Sequence, residues 1–378
     1  MGRAVSERRA AIRMRRKLTR RLGPGPRAGL ISAAAAVAVL ASGCGCVRAG
    51  ASSPAGGASP SFGPIPTTSA PARQPVTGRL PKGVLASIPV DSAAGVGIGF
   101  GSVWVGSHRA NLLTRIDPAT GKVVAAIDTG MVSSCGTVSI GLGRVWVNGC
   151  DDDAEVVVID PATNQVVGRF PHRGLSVGFG AGSAWIGGPA PAWTYRINPH
   201  TLHIEARFKV SGSCVVFARG SAWVADETTG TVAKINPSTN KVTAVIPAGL
   251  PSADGASAEF AAGYLWIYPG FESPADVTQA GNRVWRINPN SDTVKEGSLA
   301  ALRNLPSTFT TGQFAAGMGS LWVRGYGTHV YRYDARTLRL LGVYPADSSA
   351  IGMTVTGFGS LWVANMDTST LWRDRLTG

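Results

Sequence analysis

The stretch that decides the fold is Gly101-Ser102-Val103-Trp104-Val105, a glycine turn followed by a short apolar strand centred on a tryptophan. Six further copies of this box follow, and their tryptophans are Trp146, Trp185, Trp223, Trp266, Trp322 and Trp362. Successive box tryptophans are 42, 39, 38, 43, 56 and 40 residues apart. A period of about 40 to 50 residues in a strand-rich sequence is typical of propeller blades. The sequence therefore predicts an all-β protein with a seven-bladed β-propeller over residues 81–378.

Each repeat predicts four strands, and the ends of the repeat array predict how the ring closes. The third strand of the first repeat runs into Asp117-Pro118 and a turn with Gly121, which is hairpin chemistry rather than a catalytic motif. The seventh repeat stops without a fourth strand, whereas an extra strand, residues 83–90, precedes the first box. We therefore expect this N-terminal strand to complete the last blade.

Residues 1–43 have the organisation of a signal peptide. Ten basic residues and one acid are followed by an apolar stretch, residues 30–40, that is too short to cross a bilayer as a helix. Ala41-Ser42-Gly43-Cys44 resembles the bacterial lipobox, although Ala41 stands where leucine is usual. That resemblance implies acylation of Cys44. The alternative is an ordinary cleaved signal in which Cys44 and Cys46 have no role.

Residues 44–80 are predicted to be a flexible, disordered linker, because prolines are spread there among Ser, Ala, Gly and Thr. The linker would tether the propeller to the outer side of the cytoplasmic membrane or to the cell surface. The formal charge of +14 for the whole chain falls to +5 once the leader is removed. The basic composition therefore does not indicate nucleic-acid binding.

The Trp boxes and the Asp-Pro-x-Thr-Gly turns resemble the streptogramin (virginiamycin B) lyase-like propellers and the related YVTN and NHL repeat families, over about residues 81–378. These families include lyases, sensors and binding modules. In the lyases a histidine before the first strand of a blade acts with a glutamate just past the Trp box, near a bound magnesium. His172 resembles the histidine, but Gly188 stands where the acid is expected, and only Asp226 is acidic at that position in any repeat. No catalytic residue is therefore predicted.

The loops at one end of the predicted propeller carry polar and aromatic side chains. In propellers the ligand face is usually built from the loops between second and third strands and from those between blades. The candidate ligand-binding residues there are His108, Arg109, His172, Arg173, Trp193, Asp226, Glu227, Tyr268, Arg324, Tyr326 and Asn365. These residues are mixed in charge and are expected to converge on the channel mouth, where they would suit a small molecule or a peptide. The alternative is a rim that is merely solvated.

Other conspicuous residues are predicted to be structural. The seven box tryptophans should pack between adjacent blades. The bases of the third strands should be solvated or paired with neighbouring blades; they are Arg115, Arg196, Lys234, Arg286, Arg332 and Arg373. The run from Asp151 to Asp153 lacks the glycine-spaced ligand series of a calcium loop, so no metal site and no cofactor is predicted.

Cys135 and Cys150 are predicted to form a disulfide inside the second blade. Cys135 precedes the first strand of that blade and Cys150 follows the second, so antiparallel pairing brings them together. An exported protein can keep such a bond. The alternative is two thiols. Cys214 has no matching cysteine in its own blade and should be a buried thiol.

Together these features predict an exported, lipid-anchored, monomeric propeller that acts as a non-catalytic binding or scaffolding module. Its partner would be a protein, a peptide or a cell-wall component. One alternative is a lyase-like enzyme with a divalent metal, using His172 or His108 with Asp226 or Glu227. A second is a ligand-sensing domain. A histidine within hydrogen-bond reach of an acid at the channel mouth would favour the enzyme.

Overall fold

The structure, a computed structural model, describes residues 80–108, 110–131, 134–149, 154–172, 174, 176–188, 193–226, 228–251, 256–269, 282–299, 302, 313–324, 329–347 and 352–376. These residues form seven four-stranded antiparallel sheets, which confirms the predicted seven-bladed propeller. No helix in this part of the chain has the length and hydropathy of a membrane span. The predicted signal peptide, Cys44 and nearly all of the linker lie outside it.

The strands are numbered β1 to β28 in chain order. Blade 1 comprises β2 (Ala93–Gly99), β3 (Ser102–Ser107), β4 (Leu112–Ile116) and β5 (Val123–Asp128); blade 2 comprises β6 (Ser134–Gly141), β7 (Arg144–Gly149), β8 (Val156–Asp160) and β9 (Gln165–Phe170). Blade 3 comprises β10 (Ser176–Gly180), β11 (Ser183–Gly187), β12 (Thr194–Ile197) and β13 (Ile204–Phe208); blade 4 comprises β14 (Val215–Ala218), β15 (Ser221–Asp226), β16 (Thr231–Asn236) and β17 (Lys241–Pro247).

The remaining blades follow the same order, except that the last one combines strands from the two ends of the repeat array. Blade 5 comprises β18 (Ala256–Ala261), β19 (Tyr264–Pro269), β20 (Arg283–Asn288) and β21 (Thr293–Ser298); blade 6 comprises β22 (Gln313–Gly317), β23 (Ser320–Arg324), β24 (His329–Asp334) and β25 (Leu340–Pro345). Blade 7 comprises β26 (Thr354–Gly357), β27 (Ser360–Asn365), β28 (Thr370–Arg375) and β1 (Val84–Pro89).

The last blade closes the ring as predicted. β1 pairs antiparallel with β28, with Ile88 opposite Leu371. The indole N–H of Trp372 donates to Ser87 Oγ at 3.1 Å, so a side-chain bond adds to the backbone ladder. The strands of the described residues therefore all lie between residues 84 and 375, and each of the seven sheets has its four strands within that range. Residues 84–375 thus supply every strand of the seven described blades, including the pair that closes the ring.

The box tryptophans are core residues, as predicted. All seven are buried, and each indole N–H donates to the backbone carbonyl five residues earlier; for Trp104 the acceptor is Gly99, at 3.0 Å. Trp185, for example, packs among Val215 and Val224 of blade 4. Each tryptophan thus stabilises the hairpin between the first and second strands of its blade through the indole N–H. Its ring fills space toward the next blade.

Four of the six third-strand bases bond to the next blade, as predicted, whereas Arg332 and Arg373 donate to Ser320 and Ser360 of their own blades. The Arg196 guanidinium lies 5.5 Å from the ring centre of Trp185 and donates to Asn240 Oδ1 of blade 4 at 2.8 Å. Arg115 and Lys234 reach the next blade in the same way. A cation held over an aromatic face and bonded across a blade boundary stabilises the ring.

The two ends of the propeller are formed by different sets of connections between strands. The hairpins between first and second strands and the turns between third and fourth strands share one end, which we call the turn end. The loops between second and third strands and those from blade to blade share the other, which we call the rim end. The described chain begins at the turn end, where the backbone N–H of Arg375 donates to the carbonyl of Gly83.

The cysteine predictions have different outcomes. Cys214 is a buried thiol, as predicted, and its Sγ lies 2.9 Å from the carbonyl oxygen of Ala256. Cys150 and the side chain of Cys135 lie outside the described residues. The disulfide between them stays a prediction.

Candidate functional site

The structure describes seven of the predicted rim residues, namely His108, His172, Trp193, Asp226, Tyr268, Arg324 and Asn365. The other four, Arg109, Arg173, Glu227 and Tyr326, lie outside the described residues, as do Asp151 to Asp153. The described residues separate into those built into blade boundaries and those that face solvent. Ligand binding by any of them stays a prediction.

Arg324 and Asn365 meet at the boundary between blades 6 and 7. Arg324 is only 1% exposed; its Nη2 donates to Asn365 Oδ1 at 2.9 Å, and its Nη1 donates to the carbonyl of Ala364. Asn365 Oδ1 also accepts the backbone N–H of Asp347 at 3.1 Å. Burial lowers the pKa of Arg324 to about 10, although the carboxylates of Asp347, Asp367 and Asp374 act in the opposite direction. The pair joins two blades.

The strand geometry explains why Arg324 is buried. It lies two residues past Trp322, so it faces the same inter-blade space as that tryptophan. The neighbouring loop makes room with Gly352, where a Cβ would lie 2.6 Å from the guanidinium. Asn148, at the same position of blade 2, is also buried and donates to the carbonyl of Gly174 at 2.9 Å. This row of residues links consecutive blades.

Tyr268 occupies the same row in blade 5. It is fully buried, and its ring stacks on Phe314 of blade 6 with the ring centres 5.9 Å apart and the planes 8° apart. Burial raises the pKa of its hydroxyl above the ordinary value. In this structure Tyr268 is a packing residue between blades 5 and 6.

Asp226, the one acid found just past a Trp box, caps the turn that follows its strand. Its Oδ1 accepts the backbone N–H groups of Thr228 and Thr229, both at 3.1 Å, and Ser211 Oγ lies 3.4 Å from its Oδ2. This is the side-chain-to-backbone turn that aspartate favours. The carboxylate is thus engaged by the fold.

His172 and Trp193 belong to an exposed aromatic cluster beside the third strand of blade 3. The His172 imidazole stacks on Tyr195, with ring centres 4.9 Å apart and planes 10° apart. Arg207 lies directly opposite Tyr195 on the neighbouring strand, and its guanidinium sits 5.3 Å from the ring centre of Trp193. His172 and Arg207 are exposed, and Tyr195 and Trp193 are half-buried. We call these four residues the blade 3 platform.

The position of the platform differs from the expected convergence on the channel mouth. β12, which carries Tyr195, is third in the strand order of its sheet, whereas β10 is the innermost strand. The platform therefore lies toward the periphery of the rim end. Phe170, at the end of blade 2, supports it through an edge contact with the His172 ring at 4.9 Å. His108, on the blade 1 rim, is half-buried, and its backbone N–H donates to Ser92.

Two buried acids, Glu259 and Asp374, were not among the residues predicted from the sequence. Glu259 lies on the innermost strand of blade 5, directly opposite Trp266. Asp374 lies on β28 at the position that Ile116 and Ile197 occupy in blades 1 and 3. Neither carboxylate oxygen of Asp374 has a hydrogen-bond partner, and burial raises its pKa to about 7. Its signal in the sequence is an acid where the other third strands are apolar or aromatic.

Within the described ranges, no group of three or more His, Cys, Asp or Glu side chains is placed to hold a metal ion. The imidazole of His172, moreover, contacts aromatic rings, whereas the Asp226 carboxylate contacts turn backbone and Ser211. Acid–base chemistry between these two would require both to leave their present partners.

Solved structures share this fold at low sequence identity. The chain matches one from the Kuenenia stuttgartiensis hydrazine synthase structure with a TM-score of 0.60 and 12% identity, covering 79% of this chain and 99% of that one. A chain of the mitotic checkpoint complex gives 0.60 and 9%, covering 84% and 99%. The extracellular domain of a protein assigned as a hybrid two component system from B. thetaiotaomicron gives 0.54 and 15%, covering 77% and 41%. Such likeness shows the fold alone. No protein-family model and no curated protein matches the sequence.

Proposed function

We propose that this chain is an exported, lipid-anchored propeller, of the type that includes the streptogramin lyase-like, YVTN and NHL repeats, and that it binds a partner at the cell envelope without catalysing a reaction. The blade 3 platform carries the proposal. It places an exposed imidazole and an exposed guanidinium beside two half-buried aromatic rings at the rim end. Aromatic and arginine side chains of this kind dominate the binding energy of protein interfaces.

The platform is suited to binding because its geometry is held in place before a partner arrives. Tyr195 is fixed on β12, and Phe170 and His172 come from the adjoining end of blade 2. Side chains that are ordered in advance lose little conformational entropy on association. A protein, a peptide or a cell-wall component with an apolar ring and a negative charge fits these four residues.

The same contacts weigh against a lyase. A general acid–base pair needs two groups within reach of one substrate. His172 is stacked on blade 3, whereas Asp226 ends the second strand of blade 4 and accepts hydrogen bonds from its own turn. The position past the Trp box in blade 3 itself is Gly188, which has no side chain to supply.

The proposal is tested by capture from envelope extracts with the propeller immobilised. The variant His172→Ala/Trp193→Ala removes two platform rings, and His200→Ala/His203→Ala is the matched control, since those histidines are exposed at the turn end of the same blade. We expect the wild type and the control to retain a common partner and the platform variant to lose it. Equal capture by all three proteins would contradict the platform.

The anchor is tested separately. Radiolabelled palmitate should enter the wild type expressed in a bacterial host and should not enter Cys44→Ala. Equal labelling of the two proteins would remove Cys44 as the acylated residue.

A further inference from the structure

The turn end carries bulky apolar side chains on backbone that does not favour them. All seven hairpins between first and second strands have two central residues at positive φ; in blade 1 they are Phe100 at 52° and Gly101 at 70°. This is the type I′ turn, which strongly prefers Asn-Gly or Gly-Gly. The first central residues around the ring are instead Phe100, Leu142, Ala181, Arg219, Ala262, Met318 and Phe358.

Three of these residues are bulky, apolar and exposed, and they lie on consecutive blades. Met318 of blade 6 is 62% exposed, Phe358 of blade 7 is 43% exposed and Phe100 of blade 1 is 42% exposed. We call these three residues the apolar arc. A bulky side chain in the left-handed region costs about 1 kcal/mol or more, and the exposed part of such a side chain gains no burial within the folded chain. Backbone strain combined with exposed apolar surface indicates contact with something outside the chain.

The charge around the arc indicates the nature of that contact. The turn ends of blades 6, 7 and 1 bear five exposed bases, namely Lys82, Lys122, Arg336, Arg339 and Arg375. The acids of the same turns are Asp117 and Asp334, and both carboxylates accept backbone N–H groups of their own turns. Apolar tips surrounded by excess positive charge suit an anionic lipid surface.

Under the proposed anchoring, the course of the chain would bring the same end toward the membrane. The propeller is joined to residues 1–79 at the turn end of blade 7, where β1 begins beside Arg375. With an anchor at Cys44, a linker of this length spans roughly 35 Å on average. Tethering over such a distance raises the effective concentration of the propeller at the bilayer to the millimolar range, so a weak intrinsic affinity is enough.

We propose that the apolar arc and the surrounding bases dock the propeller on an anionic membrane surface and so leave the rim end facing away from the bilayer. This inference rests on the proposed export and anchoring, because the tether brings the turn end to the lipid. The arc tips would enter the headgroup region, and the bases would lie against lipid phosphates.

The test uses the propeller alone, residues 80–378, so that no acyl chain is present. Flotation with vesicles of phosphatidylcholine containing a third phosphatidylglycerol measures its intrinsic affinity. We expect binding to these vesicles, weak binding to pure phosphatidylcholine, and release at high salt. Phe100→Asn/Phe358→Asn should bind about tenfold more weakly, because two half-exposed phenyl rings are removed from the contact.

The chosen substitution protects the fold, since asparagine is favoured where these phenylalanines are strained. The double variant should therefore melt at the wild-type temperature or above it. Ala181→Asn is the matched control, because it makes the same change in a blade 3 hairpin whose side chain is small. It should bind vesicles like the wild type.

Two kinds of outcome would overturn the inference, one from the vesicle experiment and one from the oligomeric state. One is the absence of binding to anionic vesicles, or equal binding by the wild type and the double variant. The other is a wild-type dimer that does not bind vesicles and that the two substitutions convert to a monomer. That result would assign the arc to contact with a second copy of the chain. Neither outcome depends on Cys44, so failure of the lipid anchor in the palmitate experiment is distinguishable from failure of the arc.

Discussion

Replacing Asp374 by asparagine is expected to remove a pH dependence from the stability of the propeller. Asp374 is fully buried on β28, beside the strand that closes the ring, and both of its carboxylate oxygens lack hydrogen-bond partners. Desolvation is the main cause of its raised pKa, and the more distant charge of Arg324 only partly opposes it. Between the two pKa values, the Asp374 carboxyl is therefore mostly protonated in the folded protein and mostly ionised in the unfolded chain.

The magnitude follows from the two pKa values. The pKa of Asp374 rises from 3.8 to about 7 on folding, and each pKa unit corresponds to about 1.4 kcal/mol. Because the folded state binds the proton more tightly, the free energy of unfolding is highest below the unfolded pKa and falls as the pH rises through the folded one. The wild type should therefore lose up to about 4 kcal/mol between pH 4 and pH 8 through this group.

Urea denaturation at pH 4.5, 5.5, 6.5 and 8 measures the effect on the propeller. Asp374→Asn should match the wild type at the lowest pH and exceed it at pH 8, since the amide carries no charge to bury. The turn aspartates Asp117, Asp160 and Asp334 have lowered pKa values, so their contribution is lost only as the pH falls toward and below about 4. Parallel pH profiles for the wild type and Asp374→Asn would refute the reasoning.

Three further outcomes are expected. Arg196→Met should lower the free energy of unfolding by about 1 to 2 kcal/mol, because it removes a cation from over Trp185 and a bond to blade 4. The control Lys241→Met, at an exposed strand position, should change it little in the same urea titration. Non-reducing peptide mapping should yield a Cys135–Cys150 linkage, and a linkage of either residue to Cys214 would contradict the strand register of blade 2. Purified protein with magnesium should leave virginiamycin B intact; linearisation that His172→Ala abolishes would establish the lyase instead.

The fold could be predicted because its determinants are local and repeated. A tryptophan box marks the second strand of each blade, and the turn after Asp117 recurs in later blades. Ring closure could also be predicted, because the seventh repeat lacks a fourth strand and an extra strand precedes the first box. These signals depend on strand periodicity and turn chemistry, which act over a few residues.

The rim was harder to predict because membership of a loop does not say which way a side chain points. Arg324 and Tyr268 come two residues after buried tryptophans, and strand alternation turns both into the next blade boundary. The alternation of side chains along a strand would have predicted that Arg324 and Tyr268 face the same side as the tryptophans two residues earlier. The stacking of His172 on Tyr195, by contrast, joins two blades and has no signature in either segment alone. The exposed Phe100 had a visible signal, namely a bulky residue before the glycine of a two-residue turn.

The strand that closes the ring also decides how the chain must fold. Blades 1 to 6 each join strands that are close in sequence, whereas the bond from Trp372 to Ser87 spans 285 residues. The entropy of closing so long a loop has to be met before these contacts contribute, which makes closure the expected slow step. Until then β28 presents an open edge to any other strand. If the chain is exported N-terminus first, as proposed, β1 emerges well before β28, so the pairing edge of β1 stays open until β28 follows.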